Sequence, residues 1–241
     1  METFNFTKIG LIKSCYQEKF GIPRQPRLET ESISELILLP PYNDLNSIRE
    51  IEQFSHLWLL FVFDQTQKAN WKPLIRPPRL GGNKRIGVFA SRSTFRPNPI
   101  GMSAVELFTT KLKNNKVSLL LKGCDLLNNT PIIDIKPYIP YSDAIPNASA
   151  GFASTPPNTP FEVYFSDTAL QQCQQFAADY NKGTDDLKLD LKKLIIQILQ
   201  LDPRPSYQQQ PSDRVYAMRL YSFDLRWRYC ENGTILVLEL K

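Results

Sequence analysis

The sequence predicts a mainly β protein: a small closed or nearly closed antiparallel β-barrel domain, followed by a smaller α+β domain. Six short runs rich in Val, Ile, Leu and Phe precede residue 123, with no long helical pattern between them. A helical period and a second alternating pattern appear only near the C-terminus. Strands without intervening helices favour an antiparallel sheet that curls or closes over a doubly wound α/β sheet.

The expected elements of the first domain are short and are bounded by Pro, Gly, Asn and Asp. One short helix is expected at 44–53, with Asp44 or Asn46 as its N-terminal cap. We place this domain at residues 1–145. Its predicted strands are 6–14, 34–40, 54–63, 85–91, 100–108 and 116–122.

A segment rich in Pro, Ala and Ser follows the first domain. The run PYSDAIPNASAGFASTPPNTP, from Pro140 to Pro160, contains five prolines and many small residues, a composition typical of a linker or an extended surface arm. We place the linker at residues 146–160 and a small α+β domain at 161–241.

Both kinds of secondary structure are expected in the second domain. Residues 187–201 carry one apolar stripe at helical spacing, and the predicted helix ends at Asp202-Pro203, because the residue before proline resists the helical conformation. Residues 215–227 alternate as a strand that pairs with 234–241 around the Asn232-Gly233 turn. The sequence therefore predicts a helix followed by a hairpin.

Several classes of protein are disfavoured by what the sequence lacks. Four cysteines are far apart and only one histidine is present, so we expect reduced thiols and no metal site. The ten glycines never form GxG, which argues against a Rossmann dinucleotide site. No apolar run is long enough to span a bilayer and no secretory signal is present, so we predict a cytoplasmic protein without membrane contact.

Charge is concentrated in one stretch of the chain. From Gln65 to Val105 there is no Asp or Glu, although the whole chain has a net charge of only +5. Such a block concentrates positive potential and attracts phosphates, which predicts RNA as a partner. A solvated basic face is the alternative interpretation. The cations of this stretch are Lys68, Lys72, Arg76, Arg79, Lys84, Arg85, Arg92 and Arg96.

The segment RPPRLGGNKRIGVFASRSTFRPNPIG, residues 76–101, combines stiff prolines, permissive glycines and arginines. Arg92 and Arg96 offer planar forks that suit a carboxylate or a phosphate. KFGIPRQPR, residues 19–27, repeats this chemistry with Arg24 and Gln25 held between Pro23 and Pro26. A simple surface connection is the alternative for the second segment.

Other polar side chains are weaker candidates. His56 lies inside the apolar run FSHLWLLFVF, and a histidine there is more often structural than a base. Asp64 ends the same run, where sheet proteins often place ligand groups. Asp134 and Lys136 point the same way on an extended strand, as an ion pair or as the polar wall of a cleft. In DPRPSY, Arg204 and Tyr207 could contact RNA, with Tyr207 stacking on a base, although a helix stop also explains the prolines.

Several motifs in order resemble one known family. IGLIKS, KFGIPRQP, FSHLWLLFVF, RPPRLGGN, GVFASRSTFRPNPIGMS, TPIIDIKPYIPY and DPRPSY are similar to the TsaA-like (YaeB/TrmO) tRNA methyltransferases in their two-part bacterial form. The resemblance implies methyl transfer from S-adenosylmethionine to N6 of threonylcarbamoyladenosine at position 37, next to the anticodon. It also implies a β-barrel catalytic domain distinct from Rossmann methyltransferases, and a homodimer.

The resemblance further implies cofactor contacts in this sequence, and the residues themselves offer candidates for catalysis and RNA binding. Arg92, Asp134 and His56 are the catalytic candidates; Arg92 would hold the methionine carboxylate or orient the substrate, and Asp134 or His56 would take a proton. A noncatalytic RNA-binding module is the competing hypothesis. Expected RNA contacts are Arg76, Arg79, Arg85, Arg96, Lys136, Arg204 and Tyr207. Expected cofactor contacts are Pro23, Arg24, Gln25, Phe63, Asp64, Arg92, Met102, Lys122, Gly123, Cys124, Asp125 and Leu126.

Overall fold

The chain packs as two compact units, each assembled from segments that are separate in sequence. A computed structural model describes residues 2–66, 71–113, 116–157, 161–182, 187–204 and 214–241. Residues 14–34 and 122–128, which the sequence analysis places in the first domain, pack with the second unit. The first unit comprises Met1–Lys13, Glu35–Leu121 and Asn129–Pro156, and the second comprises Ser14–Ser34, Lys122–Asn128 and Pro157–Lys241.

A six-stranded sheet forms the framework of the first unit. Its strands follow one another in the order β1-β2-β7-β6-β3-β8, and β8 pairs again with β1, so the sheet closes on itself as a barrel. The mainly β class predicted from the sequence is confirmed. The six strands are β1 (Gly10–Lys13), β2 (Ile33–Leu38), β3 (His56–Val62), β6 (Ile100–Lys113), β7 (Lys116–Lys122) and β8 (Pro131–Pro137).

Side-chain alternation sets the inside and the outside of this sheet. In β3, Leu57, Leu59 and Phe61 are buried, whereas Trp58 and Leu60 between them are partly exposed. Successive side chains of a strand point to opposite faces, so the first set fills the interior. The outer face of β3 is therefore open to ligands or partners beside its neighbours β6 and β8.

Short elements connect the long strands of the first unit. Strands β4 (Leu74–Ile75) and β5 (Ile86–Gly87) pair as a small antiparallel ribbon, and α1 is a single turn at Pro140–Asp143. Two 3-10 helices replace the helix predicted at 44–53, with the Asp44 side chain accepting from the Asn46 N–H at 2.8 Å as its cap. The strand predicted at 85–91 is wrong beyond Gly87, because Val88–Ala90 form another 3-10 helix.

The described part of the second unit contains four strands, in the sheet order β10-β11-β12-β9, and two α-helices. The strand predicted at 215–227 is divided in two, because Tyr221 adopts φ +51° between its halves. The hairpin around Asn232-Gly233 is confirmed, with Gly233 at φ +77°. The strands and α-helices of the second unit are β9 (Val163–Phe165), α2 (Asp167–Tyr180), α3 (Leu191–Gln200), β10 (Val215–Leu220), β11 (Phe223–Tyr229) and β12 (Ile235–Leu240).

The remaining global expectations concern membranes, metals and thiols. Across the described ranges, no helix combines the length and the apolar character needed to cross a bilayer. Within the same ranges, no group of three or more His, Cys, Asp or Glu side chains could hold a metal ion. Cys15, Cys124, Cys173 and Cys230 are all free thiols, as expected.

Candidate functional site

The described part of the basic stretch of the first unit, residues 65–66 and 71–105, combines strands β4 and β5, short loops and the start of β6. Its loop at 88–96 is held by hydrogen bonds to its own backbone. The Ser91 hydroxyl donates to the Val88 carbonyl at 2.8 Å, and the Arg96 guanidinium donates to the carbonyls of Ser91 at 2.7 Å and Val88 at 3.3 Å. Arg92, which is exposed, is carried on this loop. The backbone around the predicted carboxylate-binding arginine is therefore fixed before any ligand arrives.

Further contacts fasten the same loop to its surroundings. The Val88 N–H donates to the Pro73 carbonyl at 2.9 Å, and the Lys72 N–H donates to the Phe95 carbonyl at 3.2 Å. The Lys72 ammonium also lies 4.8 Å from the centre of the Phe95 ring. These contacts join the loop to residues 72–73 on one side.

Two predicted RNA-binding arginines of this stretch also have structural partners. Arg79 donates to the carbonyl oxygen of Thr155 and, at 3.0 Å, to the Thr155 hydroxyl. Arg96 donates to two carbonyls of its own loop. Both guanidinium groups use part of their fork within the chain. Arg76 and Arg85 are exposed, and they stay predicted RNA contacts.

The end of strand β3 brings several predicted cofactor residues together. The Phe63 N–H donates to the Pro99 carbonyl at 2.8 Å, and exposed Asp64 follows it. Two residues before Phe63 on the inside of the sheet, Phe61 pairs with Gly101. The loop that precedes β6 is thereby tied to the strand end at which Asp64 begins the next turn.

Met102 and Asp134 flank the same residue on the outer face of the sheet. Leu60 pairs with Met102 in β6 and with Asp134 in β8. Paired residues of neighbouring strands present their side chains on the same face, and Met102 is 51% exposed. This face therefore offers a thioether, a leucine and a carboxylate in one row across three strands.

The proposed proton acceptors are separated from each other. The Asp134 carboxylate accepts from the Ile135 N–H at 2.8 Å and pairs with the Lys136 ammonium at 2.9 Å, so the ion pair considered from the sequence is present. His56 Nδ1 lies 2.9 Å from the Ser55 hydroxyl. His56 is four residues from Leu60 along β3, or about 13 Å at strand rise. Asp134 and His56 consequently do not form one catalytic pair.

In the second unit, the predicted cofactor segments 23–25 and 122–126 are joined through their neighbours. The Arg27 N–H donates to the Gly123 carbonyl at 3.3 Å. Gly123 adopts φ +63°, and a Cβ there would lie 3.3 Å from the Glu29 carbonyl oxygen. The Ser14 hydroxyl donates to the Leu126 carbonyl at 2.7 Å. The positive φ of Gly123 and its closeness to the Glu29 carbonyl oxygen explain the glycine at this position.

Burial limits what these segments can present to a ligand. Arg24 and Gln25 are exposed, Lys122 and Asp125 are partly exposed, and the other residues of the two segments are buried. Burial raises the pKa of the Cys124 thiol to about 12, so it is neither a thiolate nor a nucleophile at neutral pH. Asn129, which follows the second segment, adopts φ +66° in a turn with Asn128. The buried residues of the two segments are Pro23, Gly123, Cys124 and Leu126.

Glu29 is a buried carboxylate that the sequence analysis did not identify. It is 1% exposed and accepts from the Tyr16 hydroxyl at 2.9 Å and from the Ser32 N–H at 2.6 Å. Its environment raises the pKa of the carboxyl above its ordinary value, chiefly through burial. In the polar run RLETES, an acidic residue is typical of a surface loop, so no local signal distinguishes it.

Arg204, one of the predicted RNA contacts, has structural partners within its own unit. It is 6% exposed, and its guanidinium bonds both carboxylate oxygens of Asp202, at 2.8 and 3.0 Å. Its Cζ lies 3.4 Å from the centre of the Tyr229 ring, whose hydroxyl also donates to Asp202. Burial, the two bonds to Asp202 and the Tyr229 ring argue against a phosphate contact by this guanidinium. Tyr207, the other candidate from this motif, lies outside the described residues.

Comparison with known proteins identifies the family of the chain. The tRNA-methyltransferase O N-terminal domain model matches residues 11–144, and the TrmO C-terminal domain model matches residues 158–241. The class is thus a two-domain tRNA methyltransferase. The chain belongs to the TrmO family.

Individual relatives cover nearly the whole chain. It is 44% identical to the tRNA (adenine(37)-N6)-methyltransferase of Escherichia coli K12, over 97% of this chain and 96% of the relative. It is 42% identical to the putative S-adenosylmethionine-dependent methyltransferase RcsF of Pseudomonas aeruginosa PAO1, over 99% and 98%. The crystal structure of TrmO from Pseudomonas aeruginosa superposes with a TM-score of 0.81 at 37% identity, covering 100% of this chain and 99% of that one.

Proposed function

We propose that this chain is an S-adenosylmethionine-dependent methyltransferase that methylates N6 of adenosine 37 in tRNA, and that its substrate base is threonylcarbamoyladenosine. The observation that carries the proposal is the end-to-end similarity to a relative of that activity. The braced, acid-free loops of the first unit support it, because they present cations to a polyanion on a fixed backbone.

The donor set of the first unit fits the cofactor. Arg92 supplies a guanidinium for a carboxylate, and Met102 and Leu60 supply partly exposed apolar surface. S-adenosylmethionine, when bound, supplies a methyl group on an electrophilic sulfonium. We assign Arg92, Phe63, Asp64 and Met102 to its binding. The segments 23–25 and 122–126 of the second unit stay predicted contacts.

The main contribution of the protein to the rate is alignment. Transfer of a methyl group to nitrogen requires the nucleophile, the carbon and the leaving atom in line, and correct orientation can supply about 7–11 kcal/mol of the barrier reduction. The hydrogen bonds of Arg96 and Ser91 hold the loop of Arg92 in place, and the Phe63 to Pro99 bond holds the strand end. These contacts keep the binding groups fixed relative to β3.

A proton must leave N6 during transfer, and Asp134 is our preferred acceptor. Its carboxylate lies on the same row of the outer face as Met102, on the opposite side of Leu60. Lys136 neutralises it in the resting protein, so accepting the proton would require this exposed ion pair to open. An exposed pair of this kind is weak enough to exchange partners. His56 is the alternative acceptor, farther along β3.

Two further parts of the proposal concern assembly and location. We propose a homodimer, supported by exposed apolar side chains in the first unit such as Tyr141 at 91% and Ile145 at 72% exposure. Light scattering during size-exclusion chromatography tests the dimer. We propose that the enzyme acts in the cytoplasm, because its tRNA substrate is there.

Mass spectrometry of tRNA tests the proposal directly. Purified protein, S-adenosylmethionine and tRNA that carries threonylcarbamoyladenosine should yield nucleosides heavier by one methyl group. The same tRNA without the threonylcarbamoyl group is the matched control for substrate choice. Calorimetry with S-adenosylmethionine alone measures cofactor binding. Binding of RNA without cofactor binding or methyl gain would instead establish a noncatalytic RNA-binding module.

A further inference from the structure

Phe89 is an exposed aromatic side chain within the basic stretch that the proposed function does not yet use. It is 74% exposed, although the preceding residue, Val88, is 2% exposed. Both lie in the 3-10 helix Val88–Ala90. An apolar ring left in water gains no burial energy from the fold, so nothing in the packing of this loop requires a phenylalanine here.

The backbone that carries Phe89 is rigidly held. Val88 donates its N–H to Pro73 at 2.9 Å, and its carbonyl accepts from the Ser91 hydroxyl at 2.8 Å and from the Arg96 guanidinium at 3.3 Å. The ring is thus presented on a fixed support. A fixed aromatic surface loses little conformational freedom when a planar group stacks on it.

One side of the ring is already covered by a cation. The Arg96 Cζ lies over the Phe89 ring, 5.7 Å from its centre. Arg96 donates to backbone carbonyls, and among the described residues it forms no ion pair with a carboxylate. Because the ring is nonetheless 74% exposed, its other side is open. The Phe89 ring therefore has the Arg96 guanidinium on one face and an open surface on the other.

The surroundings decide which partner suits this surface. A second cation lies over an aromatic ring in the same stretch, Lys72 over Phe95 at 4.8 Å, and no acidic residue occurs between Gln65 and Val105. The cores of protein interfaces are depleted of charged residues and of Lys in particular, whereas this stretch carries eight cations. Nucleic acids instead supply planar bases for aromatic rings and phosphates for the flanking cations.

We propose that Phe89 is a stacking platform for an unpaired nucleobase of the tRNA substrate, with Arg96 behind the ring. The inference rests on the proposed function, since the loop beside the anticodon is single-stranded RNA. Stacking does not read base identity, so the role of Phe89 is to position the RNA and not to choose its sequence.

The test is equilibrium binding of threonylcarbamoylated tRNA to the full chain and its variants. Phe89→Ala should weaken binding about 5- to 150-fold, which is the range for one base stacked on an aromatic side chain. Phe89→Leu, which keeps apolar bulk but has no π face, should lose about as much. Phe89→Trp should bind within about threefold of the wild type. The affinity for S-adenosylmethionine should not change.

Two controls separate stacking from other effects. Phe4→Ala removes a phenylalanine of similar exposure, 72%, outside the basic stretch, and should bind RNA as the wild type does. The salt dependence of Phe89→Ala should match that of the wild type, because no phosphate contact is removed.

Each outcome is decisive for the inference. Wild-type affinity in Phe89→Ala, equal binding by Phe89→Leu and the wild type, failure of Phe89→Trp to bind, or a changed salt slope would each overturn it. If the wild type methylates tRNA and Phe89→Ala is unaffected, only the stacking role fails. If the wild type neither binds nor methylates tRNA, the proposed function itself fails.

Discussion

The Phe61 ring lies directly on Gly101, its partner in the neighbouring strand. A Cβ at Gly101 would come within 2.3 Å of the Phe61 Cζ. A phenylalanine packed over a cross-strand glycine fills the space that the missing side chain leaves. This pair stands where the loop after Pro97 enters β6, and it fixes how closely β3 and β6 approach at the candidate site.

Gly101→Ala should destabilise the protein by about 1–3 kcal/mol, because the added methyl group forces the buried Phe61 ring out of its position. Chemical denaturation measures the change. Gly87→Ala is the matched control, since no atom lies within 4 Å of a Cβ there. Adding Phe61→Leu to Gly101→Ala should recover part of the loss. Equal stability of Gly101→Ala and the wild type would contradict the packing described.

Arg92→Ala should lower kcat/KM for S-adenosylmethionine about 10- to 150-fold, the effect of removing a hydrogen bond to a charged group. Arg92→Lys should be intermediate, because lysine keeps the charge but not the planar fork. Initial rates of methyl transfer provide the measurement, with melting temperature as the check on folding. Arg49→Ala changes an exposed arginine outside the basic stretch and should behave as the wild type. An active Arg92→Ala enzyme would remove this residue from the site.

Asp202→Asn should destabilise the protein by about 3 kcal/mol or more, because it leaves the buried Arg204 guanidinium without its carboxylate. Burial opposes ionisation of Asp202, but the hydrogen bonds from Arg204 and Tyr229 outweigh it and lower its pKa. The stabilisation by ionised Asp202 is therefore complete above the pKa that this carboxyl has in the unfolded chain. It is lost as the pH falls through the lower pKa of Asp202 in the folded chain. Denaturation at several pH values measures this.

A control for Asp202→Asn is available on the surface of the same unit. Asp179 forms an ion pair with Lys182 in which both side chains are at least half exposed. Asp179→Asn should change stability little, since exposed pairs contribute little. Similar losses in the two variants would mean that burial of Arg204 does not govern the effect.

Glu29→Gln should gain stability relative to the wild type as the pH rises. The pKa of Glu29 is raised by burial, so the folded chain holds its proton more tightly than the unfolded chain does. In the wild type, protonated Glu29 contributes stability that is fully present below the pKa of its carboxyl in the unfolded chain. This contribution is lost as the pH rises toward the higher pKa of the folded chain. The difference in the free energy of unfolding should change by at most about 1.4 kcal/mol per pH unit in that window. A difference that is independent of pH above 4.5 would contradict it.

Binding of tRNA should weaken steeply with salt. The expected slope of log affinity against log salt is about −0.7 for each phosphate neutralised on single-stranded RNA. Arg85→Gln should reduce the slope by about one such contact, whereas Arg49→Gln should not. Fluorescence anisotropy at several salt concentrations provides both slopes. A flat response would show that residues 65–105 do not contact phosphates.

Apolar patterns in the sequence predict strands and helices best where one face of the element is buried within its own unit. Alternation in 54–63 predicted β3 and its buried face, because Leu57, Leu59 and Phe61 fill the interior. Only Asp134 and Lys136 of strand β8 were assigned to an extended strand, since these charged residues interrupt the apolar pattern and prolines begin and end it. Helix α2 was missed because only Ala169 and Cys173 of its fourteen residues are buried.

Long-range contacts explain what the sequence does not show at the candidate site. Arg204 between two prolines is typical of a surface residue, and its burial depends on Tyr229, which is distant in sequence. Glu29 is buried because Tyr16 and the backbone of its own loop satisfy it. Phe89 carried one local signal, an aromatic residue within a run of cations, that could have identified it.

Residues 14–34 and 122–128 pack within the second unit, and this has a consequence for mutations that truncate the chain. The Cys15 backbone carbonyl accepts a hydrogen bond from the Tyr221 N–H at 2.8 Å, and the ring centres of Phe20 and Trp227 are stacked 6.2 Å apart. A premature stop codon after residue 157 would leave every predicted catalytic side chain in the product. It would nevertheless strip the support from the residues around 14–34 and from the turn at 122–128 that packs with them. Late nonsense mutations should therefore resemble early ones in phenotype.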